Sequence, residues 1–131
     1  MVAIVTGAGS RGPGIGNGRA VAILFAREGA RVALVDTVAE WAEETRRMIE
    51  DEDGDSFVIQ ADVTRASDCQ SVVHRVVERY GRIDVLHNNV GIGASGSVVD
   101  VGEDEWDEIM RVNVKSMMLM SKYVIPVMSA A

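Results

Sequence analysis

The sequence predicts a doubly wound α/β fold, a parallel sheet of about four strands with helices on both faces. Short apolar runs rich in β-branched residues alternate with longer segments of helical periodicity, in the order βαβαβαβα. The first run leads straight into a glycine-rich turn, which is typical of a buried strand closed by a loop. Alternating strands and helices require parallel strands joined by right-handed crossovers, because each helix must return the chain to the same end of the sheet. We therefore expect one domain over residues 1–131.

Each element is predicted from its own local pattern. Four apolar runs predict strands over Val2–Thr6, Arg31–Asp36, Ser56–Gln60 and residues 83–87. Helical spacing of apolar side chains predicts helices over residues 15–28 and 38–50, the first closed by a left-handed cap at Gly29. A third helix is expected to start at a cap formed by Thr64 or Ser67 and to end before Gly81. The last helix is expected to start in the acidic turn 103–105, which suits the positive end of a helix dipole, and to run to about residue 128.

Composition excludes several classes of protein. Hydrophobic residues make up 47% and charged residues 25% of the chain, the balance of a folded globular protein. The formal net charge of -7 gives an average field that repels nucleic acids and anionic membrane surfaces. No apolar stretch approaches the roughly 20 residues of a membrane span. We expect a cytoplasmic protein with no nucleic-acid or membrane partner.

Metal binding is not expected. The single cysteine, Cys69, has no second cysteine for a disulfide or a zinc site, and the pattern favours a small buried residue on a helix. The acidic runs 50–55 and 103–108 are typical of solvated helix ends, not of ligand clusters.

The glycine-rich segment TGAGSRGPGIG, which starts at Thr6 and ends at Gly16, separates the first strand from the first helix. Backbone N–H groups and a helix N-terminus meet there, which favours binding of a pyrophosphate over a plain tight turn. The second strand ends at Asp36, twenty residues after Gly16, where an acid accepts hydrogen bonds from the ribose of a bound dinucleotide. Taken alone, Asp36 is equally well interpreted as a cap of the next helix.

These residues belong to a larger pattern. Thr6-Gly7 with Gly14-Ile15-Gly16, then Asp62-Val63, then Asn88-Asn89-Val90-Gly91 follow one another in the order and spacing of the short-chain dehydrogenase/reductase family, which the whole chain resembles. The resemblance implies a Rossmann-type fold and a nicotinamide cofactor. It also implies that Asp62 and Val63 contact adenine, that Asn89 supports the central strand and the cofactor, and that Asn113 belongs to the catalytic set. The predicted cofactor-binding residues are Gly7, Ser10, Arg11, Gly14, Ile15, Gly16, Asp36, Asp62, Val63, Asn89 and Gly91.

The glycine segment departs from the family pattern, because Arg11, Gly12 and Pro13 are inserted and lengthen the loop by three residues. A basic residue in this loop favours NADP. Asp36 argues for NAD, because its carboxylate would face the 2′-phosphate of NADP at a cost of roughly 1 kcal/mol or more. We therefore predict NAD(H). A second departure, Val90 in place of the usual alanine, is a modest change of volume.

The family's remaining catalytic residues are a serine and a Tyr-x-x-x-Lys pair, and this chain contains no such pair. The residues four beyond its two tyrosines, Tyr80 and Tyr123, are Asp84 and Val127. Loss of a proton donor typically lowers a rate about 10²- to 10⁴-fold. The chain is thus interpreted as the N-terminal, cofactor-binding half of a dehydrogenase, with negligible turnover alone and a small alcohol or ketone substrate only in the complete protein.

Two other function classes stay open. One is a nucleotide-binding or assembly module without chemistry, which dinucleotide binding without turnover would support. The other is a small hydrolase, since Ala8 to Gly12 loosely resembles a nucleophile turn around Ser10, although nothing in the sequence brings His74 or His87 to that serine.

The chain is also expected to form a homo-oligomer through its last helix. In the family, further strands pair beyond the fourth, so residues 83–87 should form an unpaired edge here. The last helix is apolar around much of its circumference, a pattern typical of a buried helix. Its apolar residues are Ile109, Met110, Val112, Val114, Met117, Met118, Leu119, Met120, Val124 and Val127.

Overall fold

A computed structural model describes all 131 residues and contains four parallel strands. The strands are β1 (Val2–Thr6), β2 (Arg31–Asp36), β3 (Ser56–Gln60) and β4 (Val85–His87). The first three have the predicted bounds. β4 starts two residues later than predicted, because the Asp84 carboxylate accepts the N–H of Val2 at 2.8 Å and so replaces a backbone partner at the start of the ladder.

The strand order in the sheet is β3-β2-β1-β4. The chain therefore moves outward from β1 to β3 and then returns to place β4 on the other side of β1, which makes the carboxyl ends of β1 and β4 the topological switch point of the sheet. β4 pairs with β1 alone, so the prediction of an edge strand is confirmed.

Alternate residues of the strands face opposite sides of the sheet, and each side has its own buried cluster. The helices are α1 (Asn17–Arg27), α2 (Ala39–Glu50), α3 (Ala66–Tyr80), α4 (Glu103–Met110) and α5 (Ser116–Ser129). Ala33 and Val35 of β2 belong to a cluster of 16 buried residues with α3 and α5. Their neighbours Val32 and Leu34 belong to a cluster of eight with α1 and α2. Helices thus cover both faces, as the doubly wound fold requires.

The helix ends lie within about two residues of the predictions, and one predicted cap is wrong. Gly29 after α1 and Gly81 after α3 both adopt the left-handed conformation, with φ of 90° and 79°. The predicted cap of α3 is wrong, because Arg65 precedes its first turn and no side chain caps it. The hydroxyl of Thr64 instead donates to the carboxylate of Asp62 at 2.6 Å.

The last helical segment is continuous but changes its pitch. A π-helical turn (Arg111–Lys115) joins α4 to α5. Only one side of the segment is buried, through Leu119, Met120 and Val124, and apolar side chains on its other side are exposed, as expected of a helix that one small domain cannot cover on every side. None of the helices combines the length and apolar character that crossing a bilayer needs.

Candidate functional site

The largest cleft, of about 510 Å³, lies at the carboxyl ends of the four strands. That is where parallel α/β sheets bind ligands. Its lining comes from the loops that follow each strand and from the π-helical turn. The lining residues are Gly7, Gly9, Ser10, Arg11, Val35, Asp36, Thr37, Trp41, Ala61, Asp62, Val63, Thr64, Asn89, Val90, Gly91, Ile92, Arg111 and Val112.

The glycine loop, residues 7–16, connects β1 to α1. Gly7 has a φ of 62°, a conformation that glycine adopts without strain. A Cβ on Gly18, in the first turn of α1, would lie 1.9 Å from the carbonyl oxygen of Gly7. The helix therefore approaches the end of β1 as closely as a backbone can, and only glycine fits. Sequence reasoning missed Gly18, although the pair Gly16-x-Gly18 at the start of the helix is a detectable signal.

The predicted glycine-loop residues do not all lie in the cleft. Gly7, Ser10 and Arg11 line it, whereas Gly14, Ile15 and Gly16 are exposed and lie outside its lining. Gly16 has a different contact, since its N–H donates to the Ser10 Oγ at 2.9 Å.

Asp36 is buried at the end of β2 and lines the cleft. One carboxylate oxygen accepts the N–H of Gly9 at 3.0 Å, and the other accepts the N–H of Val38, before α2, at 2.9 Å. The side chain thus ties the glycine loop to the start of α2. Each carboxylate oxygen can accept a further hydrogen bond, so capacity for a ligand hydroxyl remains.

Asp62 and Val63 follow β3, the strand that pairs with β2, and both line the cleft. The Thr64 hydroxyl holds the pKa of the Asp62 carboxyl below its usual range, against the opposing effect of burial and with a further contribution from the Thr64 backbone N–H. The Arg111 guanidinium donates to the Thr64 Oγ1 at 2.7 Å, and its other two nitrogens donate to the carboxylate of Glu108. Sequence reasoning missed Arg111, because 47 residues separate it from Thr64.

Asn89 supports the central strand from the loop after β4. Its side-chain amide donates to the carbonyl of Gly7 at 3.2 Å, and its backbone N–H donates to the Thr6 Oγ1 at 3.0 Å. Asn113 lies in the π-helical turn and contacts the same loop. Its side chain accepts the N–H of Ile92 at 2.7 Å and donates to the carbonyl of Ile92 at 2.8 Å.

The structure does not bring together the residues for a serine nucleophile, and Cys69 does not supply a reactive thiol. Ser10 makes its side-chain hydrogen bond with Gly16, and neither histidine contacts it, since His87 packs edge-on against Phe25. No group of three or more metal-ligating side chains occurs. Cys69 is buried on α3, and burial raises the pKa of its thiol to about 11, so it stays protonated.

The chain matches the family model described as short chain dehydrogenase over residues 1–131. It is 40% identical to an uncharacterized oxidoreductase of Thermotoga maritima, over 95% of this chain and 47% of that protein. It is 37% identical to the 3-oxoacyl-(acyl-carrier-protein) reductase of the same organism, over 97% of this chain and 50% of that protein. The chain thus spans about half the length of the curated relatives it matches.

Solved structures agree with the sequence comparison. A crystal structure assigned to the short-chain dehydrogenase/reductases, from Burkholderia xenovorans, superposes with a TM-score of 0.95 at 41% identity. The match covers 98% of this chain and 51% of that one.

Proposed function

The chain belongs to the short-chain dehydrogenase family, and we propose that it binds NAD(H) in the cleft as the cofactor-binding portion of an oxidoreductase. The family binds nicotinamide cofactors. The cleft fits a dinucleotide, because the backbone of Gly7 and Gly9 lines it after β1 and carboxylates stand after β2 and β3.

The observation that carries the choice of NAD over NADP is the position of Asp36. Its carboxylate lines the cleft at the end of β2, where a ribose hydroxyl is a good donor and a 2′-phosphate is repelled. Arg11 does not neutralise that charge, since no ion pair joins the two residues. The Arg11 guanidinium instead packs over the Trp41 ring, 5.7 Å from its centroid.

The remaining residues have supporting roles in this proposal. Asp62 and Val63 contact the adenine end, and Asn89 keeps the glycine turn and β4 together. Asn113 holds the backbone at Ile92, so it orients the segment that follows β4. When bound, the nicotinamide ring supplies the hydride transfer. The 3-oxoacyl reductase name of one relative supports a ketone, or the corresponding alcohol, as substrate of the complete protein.

Calorimetric titration with NAD⁺ and NADP⁺ tests the proposal. We expect NAD⁺ to bind about tenfold more tightly or better, because like charges repel across a few ångströms. Asp36→Asn should narrow this ratio, whereas Asp104→Asn, at an exposed position on α4, should leave it unchanged. Tighter binding of NADP⁺ by the unmodified chain would overturn the choice of cofactor.

We also propose that the chain forms a homo-oligomer through α4 and α5. Apolar side chains with 41–55% exposure form a stripe along this segment, and a two-fold contact would cover the same stripe on both copies. The stripe consists of Trp106, Met110, Val114, Met117, Met118 and Ile125. Light scattering at micromolar concentration is the test, and a stable monomer there would contradict it.

A further inference from the structure

Arg19 is the largest side chain that is completely buried in the protein. Arginine is almost never fully buried unless it is paired with an acid. Here none of the ion pairs includes Arg19, so its positive charge has no carboxylate partner within the chain. A charge in this position requires an explanation, because burial without a counter-charge is unfavourable.

All five N–H groups of the guanidinium are nevertheless engaged. Nε donates to the Thr45 hydroxyl at 2.9 Å, and Nη2 donates to the carbonyl of Trp41 at 3.0 Å, so both contacts lead to α2. The other three hydrogen bonds go to carbonyls of the glycine loop. Their acceptors are Gly12 at 2.9 Å, Gly14 at 2.5 Å and Ser10 at 3.4 Å.

The loop has few other supports. Residues 11–16 are exposed, and residues 10–15 make no backbone–backbone hydrogen bond. Beyond Arg19, the segment is held by the Ser10–Gly16 contact and by the packing of Arg11 on Trp41. The conformation of the inserted part therefore depends on one buried side chain from the following helix.

The direction of these contacts matters for anion binding. The N–H and C=O of a trans peptide point in opposite directions, and the chain has no cis peptide bond. When the carbonyls of Ser10 and Gly14 point inward to Arg19, the N–H groups of Arg11 and Ile15 point away from it. Arg11 lies in the lining of the cleft, and its N–H makes no hydrogen bond within the chain, which is the condition for such an amide to bind an anion.

We propose that Arg19 is a positioning residue for phosphate binding, which draws the loop carbonyls inward and leaves an un-neutralised positive charge beneath the loop for the cofactor's pyrophosphate to balance. The proposal rests on the proposed binding of a dinucleotide. It assigns the inserted residues a role in anchoring the cofactor, in addition to any effect of Arg11 on cofactor choice.

The test compares binding of ADP and adenosine, which differ only in the diphosphate. Arg19→Met removes both the charge and the hydrogen bonds, and should weaken ADP binding by about tenfold or more while leaving adenosine binding within about twofold. Arg19→Lys keeps the charge but has only three donors, so it should weaken ADP binding by a smaller factor. Arg27→Lys, at an exposed position on the same helix, is the matched control and should bind both probes normally.

Hydrogen exchange of the ligand-free protein provides an independent measurement. The Gly16 amide should exchange faster in both Arg19 variants, with the protection of β1 and β2 unchanged. If Arg19→Met does not fold, Thr45→Val replaces it, because it removes one acceptor of Arg19 and should weaken ADP binding by about threefold.

The outcomes separate the two proposals. Normal ADP binding in the variants, or an equal loss of ADP and adenosine, would overturn the role of Arg19 while leaving the proposed function in place. An unmodified chain that binds neither ADP nor NAD⁺ would instead overturn the proposed function.

Discussion

The half of the molecule built on β1 and β2 and the half built on β4 and α5 differ in how their surfaces are covered. In the first half, buried polar groups such as Arg19, Asp36 and Thr45 all have partners within the chain. In the second half, β4 has three half-buried residues and one neighbouring strand, and α5 exposes apolar side chains. The polar groups around the cleft therefore hold one another in place, whereas β4 pairs on one side only and α5 has an exposed apolar face.

The strongest test of this comparison is turnover. We expect the chain by itself to bind NAD(H) but to oxidise NADH with ketones at least about 10²-fold more slowly than a complete family member, because no Tyr-x-x-x-Lys pair is present to supply the proton. Absorbance at the NADH band with a ketone panel measures this. Robust oxidation by protein shown to be free of longer host enzymes would contradict the prediction.

The next test is Gly18→Ala, which should destabilise the half of the molecule built on β1 and β2. The added Cβ would lie 1.9 Å from the Gly7 carbonyl oxygen, so α1 must move away from β1, at an expected cost of about 3 kcal/mol in the free energy of unfolding. Gly14→Ala is the matched control, since a Cβ there meets nothing within 4 Å. Urea unfolding measures both, and equal stability of the two variants would show that the close approach is not as tight as described.

The burial of Tyr80, the last residue of α3, should make the free energy of unfolding depend on pH. Burial, and then its hydrogen bond to Asp55, raise the pKa of the Tyr80 hydroxyl from 10.0 to about 12. The unfolded chain ionises first, so this contribution is fully present below pH 10 and is lost as the pH rises to 12. It amounts to about 2 kcal/mol. Cys69, with a thiol pKa raised from 9.0 to about 11, adds a similar loss that begins one pH unit lower.

Urea unfolding between pH 8 and pH 12 distinguishes the Tyr80 hydroxyl from the Cys69 thiol. This pH range spans the ionisation of both groups, whose pKa values are about 12 and about 11. Tyr80→Phe should lower the stability at neutral pH by about 1 kcal/mol, through the lost hydrogen bond, and should remove the decline above pH 10 that belongs to the hydroxyl. If the stability of the variant falls above pH 10 as steeply as that of the unmodified chain, the loss belongs to a group other than the Tyr80 hydroxyl.

The smallest expected effect concerns self-association. Met118→Glu places a charge in the exposed stripe of α5 and should weaken the homo-oligomer by about tenfold. Leu24→Glu on α1 is the control, because Leu24 and Met118 have nearly the same exposure, 54% and 52%. Sedimentation velocity over a concentration series measures the difference. Equal weakening by both substitutions would show that the contact does not involve α5 in particular.

The sequence predicted β1, β2 and β3 at their observed bounds because period, β-branched content and flanking turns are local properties. The edge position of β4 also followed from the order of elements. The start of β4 did not, because it depends on the contact of Asp84 with Val2, 82 residues away.

What the sequence determined by itself is the alternation of strands and helices, the membership of the family and the residues that end each strand at the cleft. The tertiary structure decided which glycine allows α1 to meet β1, that Arg19 holds the loop, and that Arg111 reaches Thr64. It also decided which side of α5 is buried, since that helix is apolar on more than one side. The physical reason is the same in each case: these contacts join residues that share no local pattern, and only packing selects among the partners that each side chain could have.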